Sequence, residues 1–183
     1  MRIGLGILSV LAAVGTAHAD APDDPRAAQA VDIFANLCVT TVAGVDTTPI
    51  RNGDYFMTEL EPDLARELLD GRTNHTLRSI TGLSSGAMML MHYEPSGMCV
   101  TQVGEADEAA MLARFRAVVD RTALALHVDA EAQPIKRRKL EGLDTTYSSW
   151  RLKSPKGDIM LAITTYPEPR FRIQHMMTVS YVR

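Results

Sequence analysis

The end of the chain alternates. Over residues 171–182, Ile173, His175, Met177, Val179 and Tyr181 fall on one parity, and Arg172, Gln174, Met176, Thr178 and Ser180 on the other. Successive side chains of a β-strand point to opposite faces, so this period of two predicts a strand with one face buried and one wet. Residues 146–152 and 159–166 predict two more strands, with Ser154, Pro155, Gly157 and Asp158 supplying the turn between them. Pro167 and Pro169 predict a break before the last strand. Three successive strands with short connections run antiparallel, and a sheet wet on one face must bury the other against helices.

The upstream sequence supplies those helices. Pro25 is placed to open one, a favoured first-turn position. Val31, Phe34 and Cys38 follow at helical spacing, with Ala30, Ile33 and Leu37 beside them and Gly44 as the stop. Glu61, Pro62 and Asp63 predict the start of a second helix that turns Leu64, Leu68 and Leu69 to one side before Gly71. A third is expected from about 105 to 127, lined by Met111, Phe115, Val118 and Leu126. Between the second and third helices, residues 87–93 and 98–103 predict a hairpin around Pro95, Ser96 and Gly97. Residues 45–54 read as a loop, and 72–86 carry no clear period. The expected architecture is α+β: an antiparallel sheet of about five strands (hairpin, helix, three-stranded meander) covered by N-terminal helices.

Residues 1–19 predict a cleaved signal peptide. Arg2 precedes an apolar run at 3–14, too short to cross a hydrocarbon core of about 30 Å, and Ala17 and Ala19 supply the small-residue cleavage pattern. Residues 20–183 then form a single α+β domain, long enough to bury a core. No second long apolar run follows, so no transmembrane span is expected in the mature chain. The expected location is periplasmic or secreted, in a bacterium. In such an oxidising compartment Cys38 and Cys99, the two cysteines of the chain, most simply form a disulfide; two buried free thiols are the alternative. Closing that loop would stabilise the fold by about 4 kcal/mol in the chain-entropy treatment.

Phe34-x-x-x-Cys38 on an early helix, together with Gly97-Met98-Cys99-Val100 on a strand, resembles a loose group of small exported bacterial proteins with no assigned activity. The resemblance implies an α+β fold with one helix-to-strand disulfide. It supplies no catalytic residues.

Charge divides the chain. Residues 20–135 hold 18 Asp and Glu against 8 Lys and Arg; residues 136–183 hold 4 against 10. The overall acidic balance argues against general nucleic-acid binding. It leaves room for a local cationic face, and Lys136, Arg137, Arg138 and Lys139 are its sharpest feature, with Arg151, Lys153, Arg170 and Arg172 as candidate neighbours. Such a patch would meet an envelope protein or a polyanion.

Other motifs carry less. Gly82-Leu83-Ser84-Ser85-Gly86 has the spacing of a nucleophile elbow, but a strand-like stretch follows it where that motif needs a helix. Met88, Met89, Met91 and His92 offer soft metal ligands, yet alternation splits them between two faces. His75, His92, His127 and His175 fall into no tight metal-ligand spacing, so neither a metal site nor a cofactor is expected. No catalytic constellation is legible. The expectation is an exported, non-enzymatic protein that binds another macromolecule in the envelope, in the manner of an inhibitor or an immunity protein. A small-ligand-binding or sensory domain, and an enzyme with a dispersed site, stay open as alternatives.

Overall fold

The computed structural model describes residues 23–45, 55–69, 75–94, 97–140, 142–170 and 173–182. The predicted signal peptide, most of the predicted loop at 45–54, Gly71, Pro95, Ser96 and Arg172 lie outside the described residues.

Helix α1 (Pro25–Phe34) begins where the sequence places it. The Asp24 carboxylate accepts from the Arg26 N–H at 2.9 Å, and Pro25 needs no partner for a missing N–H. The helix runs through a π-helical turn (Ala35–Val39) into a short α2 (Thr40–Ala43), and Gly44 at φ 68° caps it in the left-handed conformation. Helix α3 (Pro62–Leu68) follows, then the long α4 (Glu108–Leu126). The Asp107 carboxylate caps α4 by accepting from the Ala110 N–H at 2.8 Å. Met111, Phe115, Val118 and Thr122 form the buried stripe of α4, which lies beside α1.

Among the described residues, nine strands make one antiparallel sheet: β1 (Phe56–Glu59), β2 (Thr76–Thr81), β3 (Met89–Glu94), β4 (Met98–Val103), β5 (Ala130–Ala132), β6 (Lys136–Leu140), β7 (Leu143–Leu152), β8 (Asp158–Arg170) and β9 (Ile173–Val182). The lateral order is β1-β2-β3-β4-β9-β8-β7-β5, and β6 pairs with β7. The expected hairpin is β3–β4 and the expected meander is β7–β8–β9. The count of about five strands is corrected by β1, β2, β5 and β6. Two of these hide for definite reasons. In β2, Leu77 and Ile80 are both buried but on opposite faces, which erases a period of two. In β6, four consecutive cations leave no apolar parity at all.

The helical cover also differs from expectation. Buried Ala30, Ile33 and Phe34 of α1 and Met111, Phe115 and Val118 of α4 pack on one sheet face, against Met89, Cys99, Val103, Leu161, Ile163, Met177 and Val179. Phe115 joins the layers, its ring centroid 5.6 Å from Phe34 and 5.8 Å from Trp150. Thus α4 shares the covering role with α1. The second N-terminal helix, α3, buries no residue: Leu64 and Leu68 are 48% and 52% exposed.

Pro167 and Pro169 do not end β8. They fall where its register with β9 shifts, between Thr165 paired to His175 and Arg170 paired to Ile173. The extra β8 residues bulge out, and the missing proline N–H groups cost no ladder bond there. Cys38, in the π-helical turn, is bonded to Cys99 on β4 with a Cα–Cα distance of 5.3 Å. The Thr101 hydroxyl donates to the Cys38 sulfur at 3.4 Å. Among the described residues, no helix is long and apolar enough to cross a membrane.

Candidate functional site

The cationic run of the sequence becomes a sheet edge. Strands β5 and β6 lie end to end along the same side of β7, with Pro134 in the gap between them. The Gln133 N–H still reaches the Ser149 carbonyl at 2.9 Å, so the chain stays on β7 through that gap. A tight turn ending in Gly142 (φ 85°) then folds β6 back on β7, with Leu140 opposite Leu143. Lys136, Arg137, Arg138 and Lys139 are all exposed. Their cross-strand partners are Tyr147, Thr146, Thr145 and Asp144.

Alternation sends Lys136 and Arg138 to the helix-free face and Arg137 and Lys139 to the other. The Lys136 ammonium sits 5.8 Å from the centre of the Tyr147 ring, within cation–π range. Lys139 approaches the Asp144 carboxylate at 4.0 Å. The Thr145 hydroxyl donates to the Arg138 carbonyl at 2.7 Å, which pins the backbone and leaves the guanidinium unengaged by that contact. Among the described residues, neither Arg137 nor Arg138 has a carboxylate partner. On the side away from β7, β6 meets no other described strand.

Of the candidate neighbours, Arg151 and Lys153 do not join this run. Arg151 lies at the other end of β7, roughly 13 Å along the strand from Tyr147. Its guanidinium is held by Asp158, with Nε to Oδ2 at 2.6 Å. Lys153 pairs with Glu131 at 3.1 Å. Arg172 and the side chain of Arg170 lie outside what is described. Among the described side chains the candidate site is the four cations of β6.

Two polar clusters lay beyond sequence reasoning. On the helix-free face, the β2–β3 register sets Leu77 opposite His92 and brings His75 alongside it. His75 Nδ1 contacts His92 Nε2, the ring centroids are 4.4 Å apart, and His75 Nε2 lies 3.4 Å from the Glu94 carboxylate. A cleft of about 210 Å³ between α3 and this end of the sheet is lined by His75, Glu59, Arg66 and Leu69. The signal was the pairing of β2 with β3, which needs β2 to be recognised. Even so, among the described residues no group of three or more His, Cys, Asp or Glu side chains is placed to hold a metal ion.

The second cluster lies where α1, α4 and β9 meet. His175 is fully buried, and its Nε2 lies 3.0 Å from the Ala106 carbonyl. A carbonyl only accepts, so Nε2 carries the proton; Nδ1 has no partner among the described residues. Burial holds this imidazole below its ordinary titration range, against the opposing pull of the Ala106 carbonyl and of Glu108, Asp107 and Asp24. Asp24 accepts from the Asp107 N–H at 2.6 Å as well as from Arg26, joining the starts of α1 and α4. Burial works to raise its carboxyl, but those two N–H donors and the Arg26 charge outweigh it, and the group lies below its usual range. Gln174 accepts from the Ala106 N–H at 3.0 Å and donates to the Tyr166 carbonyl at 3.0 Å. These contacts bind elements together; none presents a nucleophile and base to a cleft. Ser84, in the elbow-like motif, is exposed on a turn, and β3 rather than a helix follows.

Comparisons with protein-family models, with curated proteins and with solved structures find no match for this chain. Of the resemblance carried by Phe34, Cys38 and the Gly97–Val100 stretch, what stands is a single disulfide linking a helical segment to a strand.

Proposed function

We propose that this chain is an exported, non-catalytic binding protein that captures an acidic partner segment along β6. The observation that carries the reading is the edge itself: four exposed cations on an outermost strand, two of them arginines with no described carboxylate, beside backbone groups that no other described strand meets. A strand edge is a template for adding an extended segment. A row of like charges repels another copy of itself and attracts an acidic segment, so charge selects the partner while the backbone holds it.

The envelope setting rests on the disulfide and on the cleavage pattern at residues 17–19. A protein segment is favoured over a polyanionic polymer because only the former can complete the strand's hydrogen bonds. The small-ligand reading gains less support: the centre of the layer between α1, α4 and the sheet is filled by Phe34, Met111, Phe115, Leu161 and Met177, each fully buried, and the cleft of about 530 Å³ at the starts of α1 and α4 is lined by polar Arg26, Glu105, Asp107 and Gln174 and is not an apolar pocket.

The test is fluorescence anisotropy of an extended peptide with alternating glutamates, set against an anionic polymer of equal charge. The peptide is expected to bind more tightly, and the R137E/R138E variant to lose at least about tenfold in affinity. Equal binding of the two probes would move the reading to a polyanion. Undiminished peptide binding by the variant would overturn it.

A further inference from the structure

The strand order converts the charge asymmetry of the sequence into an asymmetry of the sheet. Strands β1 to β4 come from the acidic part of the chain and occupy one half; β6 to β9 come from its later, cationic part and occupy the other, joined there by the short β5 from the end of the acidic part. The edge strand opposite β6 is β1, and all four of its residues are exposed. Phe56 and Met57 of β1 are 71% and 40% exposed. Around them stand Glu59, Glu61, Asp63 and Glu67 against two described cations, Arg66, which is already paired to Asp63 at 3.0 Å, and Arg78, which lies opposite Glu59 on β2. Glu59, Glu61 and Glu67 have no ion pair among the described residues. One end of the sheet is cationic, with Ile135 62% exposed beside it; the other is anionic and carries exposed Phe56 and Met57.

From this we infer that the acidic partner of β6 is the β1–α3 edge of a second copy of this chain, joined head to tail. The inference rests on the reading of β6 as a partner-binding edge and names the occupant. Within one molecule the two edges are seven strand spacings apart, about 34 Å, so they do not satisfy each other. Between molecules they match in three respects. Lengths agree, five residues in β6 and four in β1. Signs are opposite, whereas β6 against β6 sets four cations against four. The aliphatic stems of Lys136, Arg137, Arg138 and Lys139 can cover Phe56 and Met57 while their charged heads reach Glu59, Glu61 and Glu67. Because the two surfaces differ, the contact does not close on itself as a two-fold dimer; each added copy leaves one free edge of each sign.

Sedimentation velocity of the purified protein at low salt tests this. The sedimentation coefficient is expected to rise with concentration and to return to the monomer value in high salt, where screening shortens the reach of exposed charges. Two variants, K136E/R137E/R138E/K139E and E61K/E67K, are each expected to stay monomeric, since the first turns the four cations of β6 into carboxylates and the second leaves the β1–α3 edge with more cations than carboxylates. Mixed together they are expected to associate, because the acidic β6 of one meets the basic β1–α3 edge of the other. All six side chains are exposed, so both variants should keep the wild-type circular dichroism and Tm. A wild-type protein that stays monomeric at every concentration, or a mixture that does not associate, overturns the inference. If wild type is monomeric yet binds the glutamate peptide through Arg137 and Arg138, the head-to-tail pairing falls and the acidic-partner reading stands. If it does neither, both fall.

Discussion

His175 is neutral in the folded protein because burial outweighs the pull of the Glu108, Asp107 and Asp24 carboxylates. Its unfolded reference lies at 6.5, and its folded value lies below that. Above pH 6.5 neither state holds the extra proton, and the group adds no pH dependence. As pH falls below 6.5 the unfolded chain takes up a proton that the folded chain refuses, so stability declines until the lower folded value is reached. Urea unfolding at pH 7 and pH 5 should therefore show an acid-side loss that shrinks in His175→Gln, whose amide can still donate to Ala106. An unchanged pH slope in that variant would exclude the account. At Asp24 one carboxylate serves two helix starts, with donors from Arg26 and Asp107. Asp24→Ala should destabilise by about 2 kcal/mol, the upper end for a lost cap, because a second backbone N–H also loses its partner. Asp24→Asn should cost less in the same denaturation experiment, since it keeps one acceptor.

Among the elements, α3 and α4 look alike in sequence and differ in consequence. Both place leucines or other apolar residues at helical spacing, but the α4 stripe sits between α1 and the sheet, whereas the α3 leucines stay half exposed. Phe115→Ala should cost about 3–5 kcal/mol, because it opens a void between Phe34 and Trp150. Leu64→Ala and Leu68→Ala should each stay within about 0.5 kcal/mol of wild type. Chemical denaturation of the three variants decides it; a large loss at Leu64 would mean that α3 is packed after all. The same exposure makes α3 a surface rather than a support. That is why its carboxylates figure in the proposed contact with β6 and its leucines do not figure in the core.

At the scale of the molecule, the disulfide ties the helical layer to the sheet. Cys38 is held on the π-helical turn and Cys99 near the middle of the sheet, 61 residues apart in sequence. Cys38→Ser/Cys99→Ser should lose about 4 kcal/mol through the added freedom of the unfolded chain. Comparing denaturation midpoints of the oxidised protein and this variant measures that loss. Since neither edge strand touches the disulfide, a folded remnant of the variant should keep β6 and its charges intact.

The amino-acid order by itself determined the local features. The period of two over 173–182 specified β9 because its buried face meets one packed layer. Pro25 as the opener, Gly44 as the stop and the stripe through Phe34 and Cys38 specified the helical run from α1 to α2, because a helix pattern repeats within a few residues. The hairpin from 89 to 103 was legible for the same reason, and Lys136 to Lys139 stood out as a charge run. Tertiary structure decided what that run is. Nothing within β6 says that it is a strand; it becomes one by pairing with β7, and an edge because β5 and Pro134 share that side. The meeting of His75 with His92, the uncovered state of α3 and the placing of opposite charges at opposite edges all depend on which strands are neighbours. That order is set by contacts between segments far apart in the chain, which no short window of sequence contains.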